Sequence, residues 1–422
     1  MHKETIAVHG GYNNKEGWGT MSVPIAQTTA YAFRDAEHAA NLFALKELGS
    51  IYTRLTNPTT DVLEQRLAQL EGGAGAICVS SGQAAIFYAI SNVAEAGDNI
   101  LISDKLYGGA VTLLTHTIKR FGITAKVFKS ADASNLEEQI DDKTKAIFFE
   151  SLSNPQIAIA DVEKIVEIGK RNGVLTICDN TVASPALFNP IKWGVDVVVH
   201  STSKFINGQG TAVGGAIIER DGLADFFKEN SKRYYHFVEP DASYHGLVYT
   251  DVPLPNFCLR IRLALLRDIG ACQSPNTSWL LLQTIETLEI RMEKHSKNSL
   301  EVAKFLEAHP KVKSVNYPGL ESSPYYDKAQ KYFEGGKASG LISFEAESYE
   351  EAKKVIDSTK LFSVVVNIGD SKSLIVQPAS TTHSQLSPEE LEKAGVNPTT
   401  VRLSIGLENP ADLIEDLNQA LN

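Results

Sequence analysis

VLTICDNTVASPALFNPIKWGVDVVVHSTSK (174–204) holds two short apolar runs, VLTICD (174–179) and DVVVHS (196–201), and each ends on residues that carry chemistry. Asp179 closes the first, and Ser201-Thr202-Ser203-Lys204 follows the second. Runs this short, with consecutive apolar residues in place of an alternation and separated by helical patterns, read as strands buried on both faces, as a parallel sheet requires. The pattern recurs at AICVS (76–80), NILIS (99–103), TAKVF (124–128), KAIFFE (145–150) and VGGAIIE (213–219), with helices from about Ala84 and Gly109. The alternation predicts an α/β domain with a mostly parallel central sheet over about 61–255.

Upstream, residues 1–60 lack periodicity and are rich in Gly, Thr, Asn and Pro, which predicts an extended arm. Asp61 with Glu64 three residues later reads as a helix start, Leu63, Leu67 and Leu70 mark its buried face, and Gly72-Gly73 ends it. Downstream, RYYHFVEPDASYHGLVY (233–249) is aromatic and irregular and is expected to form a loop over a site. A long helical stretch is centred on 277–309, and LISFEA (341–346), SLIVQP (373–378) and VRLSIGL (401–407) alternate with helices. Residues 256–422 therefore read as a smaller C-terminal α+β domain.

The 422 residues carry a net charge of −11, with 43% hydrophobic and 22% charged residues, an ordinary globular balance. The negative charge, without a Lys/Arg run, argues against nucleic acid. No apolar run approaches the roughly 18 residues of a membrane span. MHKETIAVHGG lacks the apolar core of a secretion signal, and Cys78, Cys178, Cys258 and Cys272 form no CxxC pair. Reduced thiols and a cytoplasmic location are expected. With no His/Asp/Glu cluster at ligand spacing, no metal is expected.

In an open α/β sheet, ligands bind beyond the carboxyl ends of the strands. The residues expected there are Ser81-Gly82-Gln83, Tyr107, Asn154, Asp179 and Ser201 to Lys204. Each alone has an ordinary reading: a tight turn for Ser80 to Gln83, a helix cap for Asp179, a solvent-reaching amine for Lys204 and a cleft wall for Tyr107. Neither SSGQ nor GQGTAVGG (208–215) matches a dinucleotide or P-loop glycine fingerprint, which disfavours a dehydrogenase. As a set they suit pyridoxal phosphate. That cofactor needs a lysine for its aldehyde, a carboxylate to keep the pyridine nitrogen protonated, and donors for its phosphate.

Eight motifs then carry a resemblance: YTRLTNPTT (52–60), SSGQAA (80–85), LYGG (106–109), ESLSNP (150–155), CDNT (178–181), HSTSKFINGQG (200–210), PASTTHS (378–384) and VRLSIGLE (401–408). In this order, nearly end to end, they resemble the Cys/Met-metabolism family of fold-type I pyridoxal-phosphate enzymes. The resemblance implies a fold-type I transferase in which Lys204, Asp179 and Tyr107 are catalytic. Lys204 would hold the cofactor aldehyde, Asp179 would pair with the pyridine nitrogen, and Tyr107 would stack on the ring. Ser81, Gly82, Gln83, Ser201 and Ser203 would line the phosphate, and Asn154 would approach the ring's phenolic oxygen. Tyr52 and Arg54 would reach the phosphate of a neighbouring subunit, in a homotetramer built from dimers. Arg402 would clamp the substrate α-carboxylate, with Asn367 and Asn154 near it.

Within the family, Gly109 stands where methionine γ-lyases usually carry cysteine, Lys372 where cystathionine-handling members usually carry glutamate, and PDASYHG (240–246) is similar to the sulfhydrylase branch. The implied reaction is γ-replacement: O-acetyl-L-homoserine and sulfide give L-homocysteine and acetate in methionine biosynthesis. Cystathionine synthesis and methionine γ-elimination are the neighbouring reactions on the same cofactor. A non-catalytic binding protein on this fold is disfavoured, because it has no use for Lys204. Of the histidines, His200 is expected to pack beside the site, while His236 and His245 would either touch substrate or lie in a surface loop.

Overall fold

A computed structural model describes residues 1–15, 19–381, 391 and 396–422. Seven strands form the large sheet: β1 (Gly75–Val79), β2 (Asn99–Ser103), β3 (Thr124–Phe128), β4 (Thr144–Glu150), β5 (Leu175–Asp179), β6 (Val197–His200) and β7 (Gly215–Glu219). Their order is β1-β7-β6-β5-β4-β2-β3. Only β7 runs antiparallel to its neighbours, so the sheet is mostly parallel, as the apolar runs predict.

Both faces are covered. Along β4, Ile147 and Phe149 join one buried cluster while Ala146 and Phe148 join the other. This is why the centre of its sequence, Ala146 to Phe149, is a continuous apolar run and does not alternate. Register then aligns the strand ends, Glu150 beside Asp179 and Asp179 beside Val199.

The first long helix differs in its start. It spans Pro58–Glu71, capped by Asn57, whose side chain accepts from the Thr59 amide, with Pro58 at the first position. Asp61 is in the first turn and is not the cap. Proline's fixed φ and missing N–H suit that first position, and the cap lies four residues upstream of Asp61. The end is as read: Gly72 takes a left-handed conformation (φ 77°).

Residues 1–60 are less extended than expected, with helices at Lys3–His9 and Ala36–Phe43. The aromatic stretch does not cover the site. Tyr234, Phe237, Tyr244 and Tyr249 are buried in a core cluster of the large sheet, and the Leu175 amide donates to Tyr234 Oη at 2.7 Å.

The second sheet has the order β10-β11-β12-β9-β8, from β8 (Val312–Asn316), β9 (Leu341–Ala346), β10 (Ser363–Val364), β11 (Leu374–Val376) and β12 (Thr400–Ser404). β8 and β10 went unread because they are edge strands with exposed positions and no apolar run. The packing does not divide at 255/256. Phe257 to Leu266 and Leu281 to Met292 join the large sheet's clusters, and the small sheet's own core begins at Val302, inside the helix Leu288–Ala308.

Candidate active site

A cavity of about 420 Å³ opens at the carboxyl edge of the large sheet, closed on one side by residues of the small-sheet region. From β1 and the helix after it come Ser81, Gly82 and Gln83. Ser81 Oγ caps that helix by accepting the Ala84 amide at 3.1 Å. The first-turn amides of Gly82 and Gln83 have no partner within the helix, which leaves them available to an anion at this helix start. Gly82 cannot be replaced cheaply: a Cβ there would lie 2.6 Å from the Ser201 Cβ. Ser201 and Ser203, from the turn after β6, complete this cradle. Gly214 ties that turn, its amide donating to Ser203 Oγ at 3.0 Å.

Asp179 ends β5 in the cavity wall, and its Oδ1 accepts the Thr181 amide at 2.9 Å. Burial raises its proton affinity, against the pull of the Thr181 bonds and of His200. A half-buried carboxylate with a cavity in front of it calls for a cationic or N–H partner. Lys204 Nζ donates to Asn367 Oδ1 at 2.7 Å across the two sheets. Burial, then the charge of Arg402, lowers the Lys204 pKa from 10.5, which favours the nucleophilic neutral amine.

Arg402, on β12, is only 2% exposed. It donates to Asn154 Oδ1 at 3.1 Å and to the Asn367 carbonyl at 3.0 Å. Burial lowers its pKa to about 10. Its Nε has no hydrogen-bond partner among the described residues, an orphaned donor beside the cavity that suits a ligand carboxylate. Tyr107 lies in the wall, 39% exposed. Gln83 Nε2 holds its turn by donating to the Gly109 carbonyl at 2.9 Å.

The cavity thus gathers every residue expected from the strand ends except Thr202, together with Asn367 and Arg402. Tyr52 and Arg54 lie outside it; the Arg54 guanidinium sits 5.1 Å from the Tyr52 ring centre. His200 is a packed neighbour, its Nε2 2.6 Å from Glu71 Oε1. His236 contacts the Val93 carbonyl, and neither it nor His245 lines the cavity. Lys372 also lies outside the wall, its side chain 74% exposed and 3.8 Å from Asp370 Oδ1. Residues 382–384 of PASTTHS fall outside the described residues.

Two polar side chains of the wall, Glu150 and Thr181, escaped the sequence reading, as did its apolar lining, Ile86, Leu152, Val182 and Ile368 among them. Glu150 carries the same signal as Asp179, a carboxylate closing an apolar strand. Thr181 orients the neighbouring loop, its Oγ1 accepting the Ser201 amide at 2.8 Å. Among the described residues, no group of three or more His, Cys, Asp and Glu side chains is placed to hold a metal, and no helix is long and apolar enough to cross a membrane.

The cavity fits pyridoxal 5′-phosphate: an anion cradle narrowed around Gly82, a half-buried amine, a half-buried carboxylate and an aromatic wall. The chain matches the family described as Cys/Met metabolism PLP-dependent enzyme over residues 4–422. It is 47% identical to the O-acetyl-L-homoserine sulfhydrylase of Leptospira meyeri, covering 99% of this chain and 96% of that protein. It is 43% identical to the homocysteine synthase of Schizosaccharomyces pombe, over 100% and 98%. A crystal structure from Campylobacter jejuni, of a protein described as a putative O-acetylhomoserine (thiol)-lyase carrying pyridoxyl-lysine 5′-monophosphate, superimposes with a TM-score of 0.98. That pair shares 57% identity over 100% of both chains. With a matching fold, a cavity built for this cofactor and relatives aligned end to end, the chain belongs to the Cys/Met metabolism family of PLP-dependent enzymes.

Proposed function

We propose that the protein is a γ-replacement transferase that converts O-acetyl-L-homoserine and sulfide to L-homocysteine and acetate. One observation carries the reading. Among the described residues, the only cationic side chains lining the cavity are Lys204 and Arg402. Arg402 takes the α-carboxylate of the amino acid and Lys204 serves the cofactor aldehyde. No further cation lines that wall for the carboxylate of a second amino acid, and a buried unpaired carboxylate is costly. Sulfide needs no such partner. The names of the aligned relatives support the same reading.

Pyridoxal 5′-phosphate, when bound, supplies an electron sink conjugated to the substrate Cα. The chain's residues do the rest. Gly82, Gln83, Ser81, Ser201 and Ser203 hold the phosphate, and Asp179 keeps a proton on the ring nitrogen. Tyr107 would stack on the cofactor ring, and Asn154 would help to hold it. Lys204, once its amine is free, removes the Cα proton and returns protons along the substrate chain. Asn367 keeps that amine within reach. Tyr52 and Arg54 act in the site of a neighbouring subunit, in a dimer that pairs into a tetramer.

The test supplies the holoenzyme with O-acetyl-L-homoserine and equal sulfide and cysteine, and separates the products. Predominant homocysteine is the expected result. Predominant cystathionine or keto acid would keep the cofactor assignment and overturn the choice of nucleophile.

A further inference from the structure

Glu150 has no part in that chemistry, yet it is 6% exposed and lies in the cavity wall. It ends β4 beside Asp179 on β5. One carboxylate oxygen, Oε1, accepts the Tyr107 amide at 2.7 Å, and the other, Oε2, accepts the Asn154 amide at 3.2 Å. From Asn154 the contacts continue through its Oδ1 to Arg402, from Arg402 to the Asn367 carbonyl, and from Asn367 Oδ1 to Lys204 Nζ.

We propose that Glu150 is a positioning residue: its two oxygens hold the Tyr107 turn and the Asn154 turn at a fixed separation, and through Asn154 they aim Arg402 at the substrate α-carboxylate. This rests on the assignment of Arg402 as the carboxylate clamp.

A carboxyl group is an expensive brace at this position. Burial, then the neighbouring Asp179, raises its proton affinity well above the usual carboxylate range, and the Tyr107 and Asn154 amides pull against that rise. Scaffolding alone has cheaper solutions, because an apolar side chain of similar volume fills a buried position without desolvating a charge. What the carboxyl offers is two acceptors on a rigid fork, one for each turn. Glutamine keeps one acceptor and sets an amide N–H against the other backbone N–H, so only one turn stays held.

The experiment uses the holoenzyme and two unreactive ligands, L-2-aminobutyrate and n-propylamine, which differ by the α-carboxylate. Absorption titration of the bound cofactor reads the affinity of each, and a thermal melt checks folding. In Glu150→Gln the preference for aminobutyrate over propylamine should fall by about fivefold or more, the loss expected when a charged hydrogen bond is misaligned. Glu150→Asp keeps both acceptors but withdraws them by one methylene, and should show a smaller fall. If Glu150→Gln does not fold, Glu150→Asp is read by the same ratio. A ratio within twofold of the parent in a folded variant, or equal loss of both ligands, overturns the proposal. Neither ligand has a γ leaving group, so the outcome stands apart from which nucleophile the enzyme uses.

Discussion

Lys204 and Asn367 come from different sheets and meet at 2.7 Å, the amine donating to the amide oxygen. Lys204 follows β6 of the large sheet, and Asn367 precedes β11 of the small one. The Lys204 amine is therefore held from the far side of the cavity, and the site is whole only when both sheets are docked.

Burial and Arg402 lower the Lys204 pKa from 10.5, which makes the amine a cost to the folded cofactor-free chain. Below the lowered folded value both states are protonated and the cost is complete. Between that value and 10.5 the unfolded chain binds more protons, so stability rises with pH, and above 10.5 the cost is gone. Lys204→Met should therefore stabilise the cofactor-free protein at neutral pH, with a gain that shrinks towards pH 10. Urea midpoints at several pH values check this; a gain that grew with pH would contradict it. The same variant should lose all turnover.

Arg402 presents two nitrogens to Asn154 and Asn367 and leaves Nε free beside the cavity. Lysine offers a point charge in place of this fork. Arg402→Lys should raise KM for the amino acid by about 10- to 100-fold, the range for a lost charged hydrogen bond of roughly 1.5–3 kcal/mol. Affinity for pyridoxal 5′-phosphate, measured by equilibrium dialysis, should change little if Arg402 takes the substrate α-carboxylate as proposed.

Much of this is legible in the sequence alone. Strands such as NILIS and KAIFFE carry unbroken apolar centres because both faces are covered, and that pattern marks the sheet, its parallel character and the edge where ligands bind. Asp179 and Lys204 stand out as chemistry at the ends of such runs. The small sheet was read in part, because β8 and β10 carry little buried apolar surface. Glu150 was passed over although it closes a quoted strand, since its role lies in backbone amides that only tertiary structure brings near. The aromatic stretch misled for a related reason. Tyr and Phe mark burial as readily as a ligand wall, and here they cover the outside of the sheet.

Gly109 bears on specificity through Tyr107. A Cβ at Gly109 would lie 2.5 Å from Tyr107 Cε1, so any side chain there displaces the ring. Tyr107 is partly exposed and has room to swing outward, so Gly109→Ala should cost little folding stability. Loss of aromatic stacking, about 0.5–1.5 kcal/mol, should weaken pyridoxal 5′-phosphate by roughly 2- to 10-fold. Equilibrium dialysis of the cofactor with a parallel thermal melt separates the two effects. Unchanged cofactor affinity would show that Tyr107 does not stack on the ring.

Tyr52 and Arg54 lie outside their own chain's cavity, and Arg54 Nε is buried without a hydrogen-bond partner among the described residues. If these two side chains serve a neighbouring subunit, each site draws Lys204 from one chain and Arg54 from another. Arg54→Ala and Lys204→Ala homo-oligomers should then both be poorly active for different reasons. Unfolded together and refolded, they form mixed dimers in which one site combines an intact Lys204 with an intact Arg54. With random pairing, about a quarter of all sites regain both residues, because half the dimers are mixed and each has one good site. Recovery near a quarter of parental activity is the expected result. Activity no higher than the sum of the two separate variants would mean that Arg54 serves its own chain or no site at all.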